Sequence, residues 1–134
     1  MRRSLFTATV VALVSLAASA VRAAPFLAAL RPGGTIDFIG DSITDGGRAR
    51  TGHDYNHTMG QSYAFVLAAT LGNRLAERNL TFLNRGISGN RVLDLQARWQ
   101  RDVLDVKPDL LSILVGVNDT FWARGETLAQ FQQV

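Results

Sequence analysis

One serine stands where a buried strand would end, a position that suits a nucleophile. The largely apolar run from Ile36 to Ile39 has strand length and stops at Gly40, which Asp41 and Ser42 follow. Such a run predicts a buried strand that delivers Ser42 onto a sharp turn. Ser42 is therefore the candidate nucleophile for acyl transfer. A plain turn is the alternative, because Gly, Asp and Ser are the commonest turn formers.

Two later segments repeat this layout of an apolar run followed by a polar turn that contains glycine. The run from Leu80 to Leu83 leads into residues 84–90, which read Asn-Arg-Gly-Ile-Ser-Gly-Asn. The run from Leu110 to Val115 leads into residues 116–119, which read Gly-Val-Asn-Asp. Three turns of one kind favour a shared site over an isolated turn at Ser42.

As a set, these turns resemble the first three sequence blocks of the SGNH hydrolases, which are also called GDSL esterases and lipases. The resemblance covers residues 35–119 and implies a serine esterase that works through an acyl-enzyme without a cofactor. Carried over residue by residue, it makes Ser42 the nucleophile. The oxyanion would be held by the Ser42 N–H, the Gly86 N–H and the side-chain amide of Asn118. The glycine at 86 would let the substrate approach the backbone.

The general base of the family and its orienting acid belong to an Asp-x-x-His block near the C-terminus, beyond the third strand. The sequence reaches Val134 before such a block, so we expect the domain of residues 35–134 to be incomplete at its C-terminus. The one literal Asp-x-x-His is residues 54–57, in the first loop. There we expect Tyr55 and His57 to lie in a substrate loop, with His57 as the base kept as an alternative, because triads vary in chain order.

A metal site is not expected in this loop. His53 and His57 are four residues apart, which would place two ligands on one face of a helix. Gly52 and Gly60 argue against a helix there, and the sequence offers no third ligand. Asp41 and Asp119 are likewise expected to bond to their own turns rather than to act as an acid and base pair.

The first twenty residues have the features of a signal peptide. Arg2 and Arg3 precede an apolar run from Leu5 to Ala17, and Ala18-Ser19-Ala20 is a cleavage site of small residues. A stable membrane anchor is not expected, because the run is shorter than the ~20 apolar residues of a spanning helix. Residues 21–34 are expected to be a linker or surface segment. The protein would then be secreted or periplasmic.

Charge and cysteine content exclude several other classes of protein. Of the fourteen basic side chains, Arg2 and Arg3 would leave with the leader, so twelve would remain against eleven acidic ones. The arginines are scattered without a basic run, which speaks against a nucleic acid partner. The chain has no cysteine and therefore no disulfide, thiolate metal site or lipid-attachment site. Nothing in the sequence indicates an oligomeric state.

The elements needed to position the three turns alternate along the chain. Strands are predicted over Thr35 to Ile43 and over the two later apolar runs, and residues 45–61 form a long polar loop. Ser62 can cap a helix with apolar positions at Phe65, Ala68, Ala69, Gly72, Leu75 and Ala76. A second helix carries the stripe Val92, Leu95, Trp99 and Val103. This alternation predicts an α/β fold with a parallel sheet. The resemblance implies a flavodoxin-like three-layer α/β/α fold with the first strand in the centre of that sheet. We expect this fold to be truncated after the third strand.

The most direct interpretation is a secreted serine esterase acting on carboxylic esters. An export signal and a polar loop at Tyr55 and His57 favour O-acetyl groups on carbohydrate as the substrate. The partner would then be an ester substrate such as an acetylated carbohydrate. The alternative is a non-catalytic remnant or binding module on the same fold, because losing the base of a serine triad can cost about a millionfold in turnover.

Overall fold

The structure is a computed structural model that describes Leu27, residues 30–52 and residues 54–121, with only the backbone of Phe121. The signal peptide predicted for residues 1–20 lies outside the described residues, as do most of the predicted linker and His53. The strands are β1 (Thr35–Gly40), β2 (Thr81–Asn84) and β3 (Leu110–Leu114). The helices are α1 (Ser42–Asp45), α2 (Tyr55–Met59), α3 (Tyr63–Arg74), α4 (Val92–Trp99) and α5 (Val117–Phe121).

The three strands form one parallel sheet in the order β2-β1-β3. Thr35 pairs with Thr81 on one side of β1, and Ile36 pairs with Leu110 on the other. The prediction that the first strand is central is therefore confirmed. The chain reverses its direction across the sheet at this strand, and the carboxyl ends of such strands are where ligands bind in open parallel sheets.

Helices cover both faces of β1, as predicted for a parallel sheet. Ile36 and Phe38 pack with the α3 residues Ala64 and Ala68 in one core cluster. Ile39 points to the opposite face because side chains alternate along a strand, and it packs with Leu95 and Val103 in a second cluster. The α/β/α arrangement of this part of the chain follows from these two layers.

Two segments differ from the sequence-based prediction. The first strand ends at Gly40 instead of Ile43, because the side chain of Asp41 accepts a hydrogen bond from the Ile43 N–H at 2.9 Å and begins α1. The predicted long loop contains the short helix α2, which begins after its N-cap Asp54 and ends at Met59, with Gly60 as the C-cap. Gly60 therefore terminates a helix of five residues rather than preventing one.

The two longer helices agree with prediction in position and differ in part of their buried face. Ser62 caps α3 through a bond from the Ala64 N–H, as expected. Ala68 is buried, whereas Ala69 and Ala76 are exposed. The predicted stripe of the second helix continues past α4 through a π-helical turn, residues Gln100–Leu104, which keeps Val103 on the buried face. Among the helices of the described residues, none is long and apolar enough to span a bilayer.

Asp37 is a carboxylate buried in the middle of β1. Its exposed fraction is 0%, and neither of its oxygens accepts a hydrogen bond from a described residue. The nearest cation is Arg85, whose Nε lies 3.9 Å from Asp37 Oδ1. Burial outweighs the attraction of Arg85 and raises the pKa of Asp37 from 3.8 to about 6.

We expect this carboxylate to make the protein less stable as the pH rises. Between the two pKa values the folded state holds a proton that the unfolded chain has released, so the free energy of unfolding falls with rising pH. Asp37→Asn should remove this slope and raise the free energy of unfolding at pH 7 by about 1 to 3 kcal/mol. Urea denaturation from pH 4 to 8 measures the free energy of unfolding at each pH. Asp105→Asn, which removes a carboxylate from the surface, is the control for the loss of one negative charge. An equal slope in Asp37→Asn and the unmutated protein would contradict this expectation.

Candidate functional site

The three polar turns meet at the carboxyl edge of the sheet. The Asp41 N–H donates to the Leu114 carbonyl at 3.3 Å, which joins the turn after β1 to the end of β3. The Ile87 N–H donates to the Gly40 carbonyl at 3.0 Å, which joins the same turn to the segment after β2. The segments that carry Ser42, Gly86 and Asn118 are thus held beside each other, although they are far apart in sequence.

Ser42 is the first residue of α1 and is exposed. Asp41 caps this helix, so the strand-to-helix turn places the serine at its start. Within the described part of the chain, neither the hydroxyl nor the backbone N–H of Ser42 is used in a hydrogen bond. Both groups are therefore open to an incoming ester.

Asp45, at the other end of α1, ties this helix to the segment after β2. Its buried carboxylate accepts hydrogen bonds from the Ser88 N–H at 2.8 Å and the Ser88 hydroxyl at 2.9 Å. The same carboxylate accepts from Arg50 Nη2 at 2.6 Å. Burial acts to raise the pKa of Asp45, but the two bonds from Ser88 and the guanidinium of Arg50 outweigh it and hold the pKa below its usual range. An ionised Asp45 therefore fixes the spacing between α1 and residue 88.

Gly86 lies buried against the backbone of α1. A methyl group there would come within 2.7 Å of the Asp45 Cα and would also meet the Asp45 nitrogen. The Gly86 N–H donates to Asn84 Oδ1 at 2.9 Å, so it is not free to hold an oxyanion in the way that the family resemblance implied. The structure thus gives this glycine a packing reason, the close approach of two backbone segments, in place of the expected donor role.

Gly89 is the residue of this segment that the sequence analysis passed over. It lies third in the turn of residues 87–90, which closes with a bond from the Asn90 N–H to the Ile87 carbonyl at 3.1 Å. Its φ of +84° favours glycine, as in a type II turn. Gly89 is exposed, and its N–H makes no hydrogen bond within the described residues. The available signal was the Ser-Gly-Asn triplet, because Ser, Gly and Asn are common turn residues and glycine supplies a positive φ.

Asn118 lies in α5 and faces the same turn. Its Nδ2 donates to the Asn90 carbonyl at 2.9 Å, which uses one of the two amide hydrogens. Its neighbour Asp119 was expected to bond to its own turn, but it accepts from the Val92 N–H at 3.1 Å and so holds α5 against the start of α4. The expectation for Asp41 is confirmed by its bond to Ile43.

Tyr55 and His57 lie on α2, and both are exposed. His57 Nδ1 is 3.0 Å from Asp54 Oδ2, so the literal Asp-x-x-His does bring its two ends together. Within the described residues no hydrogen bond joins His57 to Ser42, whose hydroxyl has no partner. The geometry therefore leaves Tyr55 and His57 as residues of an exposed helix, available to a substrate, and gives no support to His57 as the base.

Two known proteins and a solved structure are similar to this chain over more than half of its length. An acetylxylan esterase of Geobacillus stearothermophilus is 46% identical over 85 residues, which are 63% of this chain and 39% of that protein. An uncharacterized lipoprotein of Bacillus subtilis strain 168, YqeF, is 40% identical over 83 residues, 60% of this chain and 30% of that protein. A solved structure of an acetyl xylan esterase from Geobacillus stearothermophilus matches with a TM-score of 0.69 at 36% identity, covering 78% of this chain and 52% of that one.

The match extends over most of the chain and over part of its relatives. The chain spans less than half the length of the two similar proteins and about half of the solved structure. A family model described as the GDSL-like lipase/acylhydrolase family matches residues 38–134, which include all three turns of the site. The chain therefore belongs to the GDSL-like lipase/acylhydrolase family.

Proposed function

We propose that this chain contributes the nucleophile and oxyanion donors of an exported serine esterase that removes acetyl groups from carbohydrate. The observation that carries the proposal is the exposed hydroxyl of Ser42 at the switch point of the sheet, which has no hydrogen-bond partner among the described residues and lies beside the turn of residues 87–90 and Asn118. Family membership supports the reaction class. The name of the similar acetylxylan esterase suggests the acyl group and the polymer.

In the proposed reaction, the Ser42 oxygen attacks the acetyl carbonyl and forms an acyl-enzyme with release of the sugar hydroxyl. The negative charge of the tetrahedral intermediate is held by backbone and side-chain donors, each typically worth roughly 3 kcal/mol at the transition state. We assign these donors to the Ser42 N–H and to the second amide hydrogen of Asn118. We assign the third donor to the Gly89 N–H rather than to the Gly86 N–H, because the Gly86 N–H already donates to Asn84 Oδ1. Water then releases acetate and restores the serine.

The proton of Ser42 needs a base, which the family resemblance places in an Asp-x-x-His block beyond the third strand. Export is proposed from the leader-like first twenty residues, and the similar lipoprotein supports it. Tyr55 and His57 remain proposed substrate contacts, because both side chains are exposed on α2, where a polar polymer could meet them.

Removing the amide of Asn118 tests the proposed oxyanion site. The complete protein should release acetate from acetylated xylan, and Asn118→Ala should lower kcat by roughly a hundredfold or more, because the amide acts in the transition state. Steady-state kinetics on acetylated xylan and on a chromogenic acetyl ester measure this effect. Asn73→Ala, an exposed asparagine on α3, is the matched control.

Two outcomes would count against this assignment. A rise in KM with unchanged kcat in Asn118→Ala would mean that the amide binds the ground state only. A complete protein that hydrolyses no acetyl ester would instead favour the non-catalytic alternative. Asn118 also donates a hydrogen bond to the Asn90 carbonyl, so the substitution could lower stability as well as activity. The melting temperature of the variant must therefore be compared with that of the unmutated protein.

A further inference from the structure

A cleft rich in arginine lies beside β2, which pairs only with β1 among the described residues. Its volume is about 630 Å³, and its lining includes the β2 residues Phe82 to Asn84. Among the residues that line it, one is acidic, Asp102, and four are arginines: Arg48, Arg50, Arg85 and Arg101. The chain as a whole is close to neutral without its leader, so this concentration of positive charge is local.

The arginines of the cleft retain N–H donors after their internal bonds are made. Arg48 donates through Nε alone, to the Gly86 carbonyl at 2.9 Å, so its terminal nitrogens have no partner in the described part of the chain. Arg101 is 70% exposed and uses Nε and Nη2 on Asp102, which leaves Nη1. A guanidinium with free terminal N–H groups is suited to a planar oxyanion such as a carboxylate.

The carboxylates that pair with the arginines of the cleft are fewer than the guanidinium groups. Asp45 pairs with Arg50 at 2.6 Å. Asp102 is shared among Arg98 at 2.5 Å, Arg101 at 2.7 Å and Arg85 at 3.4 Å. Burial lowers the pKa of Arg48, and the positive charge of Arg50 lowers it further. Positive groups therefore repel one another inside the cleft, and an incoming anion would relieve that repulsion.

The cleft adjoins the candidate active site. Ile87 lines the cleft and also begins the turn that carries Gly89. Arg48 and Arg50 line the cleft and both donate to the carbonyl of Gly86, each at 2.9 Å. A polymer with its ester at Ser42 could therefore place neighbouring sugar units in the cleft.

We infer that the cleft binds carboxylate groups of the substrate, so that the preferred polymer is an acetylated polysaccharide that carries uronic acid units. This inference rests on the proposed esterase function and adds a substrate class to it. The polar wall residue Thr58 suits a hydroxyl-rich ligand.

The test compares two forms of one polymer. Acetylated glucuronoxylan is used as such and after reduction of its uronic acid carboxyls to alcohols, which removes the charge and keeps the chain. For the complete protein we expect kcat/KM to be about tenfold higher on the acidic form, and this ratio should shrink in 0.5 M NaCl because salt screens exposed charges. A ratio near one at low salt would overturn the inference.

Arg101 allows the preference to be assigned to the cleft. Arg101→Gln should lower the acidic-to-neutral ratio of kcat/KM about fivefold, the effect of one exposed ion pair, and Arg101→Lys should restore part of it. Arg74→Gln, an exposed arginine at the end of α3, is the control and should retain the ratio. An unchanged ratio in Arg101→Gln would place the preference elsewhere and overturn the inference.

Binding without turnover separates this inference from the proposed function. Affinity electrophoresis of the protein in gels that contain either polymer measures retention directly. Stronger retention by the acidic form, weakened in Arg101→Gln, would support the cleft even if no ester were hydrolysed. Equal retention by both forms would overturn the inference even if acetate release were efficient.

Discussion

Ser42→Ala should abolish ester hydrolysis by the complete protein, with turnover reduced by about a thousandfold to a millionfold. The hydroxyl is exposed and makes no hydrogen bond to the described residues, so removing it breaks no contact among them. It removes the atom that forms the acyl-enzyme. The variant should therefore unfold at the same temperature as the unmutated protein while releasing no acetate above background.

A chromogenic acetyl ester in a stopped or continuous assay measures this loss, and mass spectrometry can detect the acetylated enzyme directly. After the reaction is quenched, the mass of the unmutated protein should be higher by one acetyl group, and the mass of Ser42→Ala should be unchanged. Thr70→Ala, which removes an exposed hydroxyl from α3, is the control and should retain full turnover. Turnover retained in Ser42→Ala would eliminate Ser42 as the nucleophile.

The strands and the edge at which the three turns meet could be predicted because they depend on local signals, whereas the strand order came from the family resemblance. Apolar runs that end at Gly40, Leu83 and Val115 mark strands buried on both faces, and parallel strands end at one edge of a sheet. The resemblance implies that β1 pairs with both neighbours, and the structure confirms this order. The third strand is less buried than predicted, with Ile113 53% exposed, because β3 pairs only with β1 among the described residues.

The roles of Gly86 and Gly89 could not be separated from the sequence. Both glycines lie in residues 84–90, and the family resemblance was carried over onto Gly86. The distinction depends on Asn84, whose side-chain oxygen reaches the Gly86 N–H, and on α1, whose backbone packs against Gly86. The first contact is local but depends on how the Asn84 side chain is turned, and the second joins segments far apart in the chain, which leaves no periodic signal in the sequence.

Asp45 was missed for the same reason. In the sequence it follows the Gly-Asp-Ser motif as an ordinary polar residue at the start of a loop. In the structure its carboxylate is buried and joined to Ser88 and Arg50, so it connects the nucleophile helix to the turn that carries Gly89. A buried carboxylate with this many partners can be recognised only when the fold brings those partners together.

Gly86→Ala should destabilise the protein by roughly 3 kcal/mol, because an added methyl group in a closely packed site forces the surrounding backbone to move. The methyl would meet the Asp45 nitrogen and lie 2.7 Å from both Asp45 Cα and the Thr44 carbonyl carbon. These are backbone atoms of a capped helix, so they cannot turn aside as the end of a side chain would. Moving α1 would also shift Ser42 away from the turn of residues 87–90, so activity should fall together with stability.

Urea denaturation measures this effect, and Gly72→Ala on α3 is the matched control. A methyl at Gly72 would lie 3.5 Å from Phe82 Cε2, an ordinary contact. Alanine is preferred to glycine in a helix, so Gly72→Ala should raise the free energy of unfolding by about 0.5 to 1 kcal/mol. The same chemical change would thus act in opposite directions at two glycines of one domain. If Gly86→Ala kept the midpoint of the unmutated protein, the close packing of α1 on this turn would be disproved.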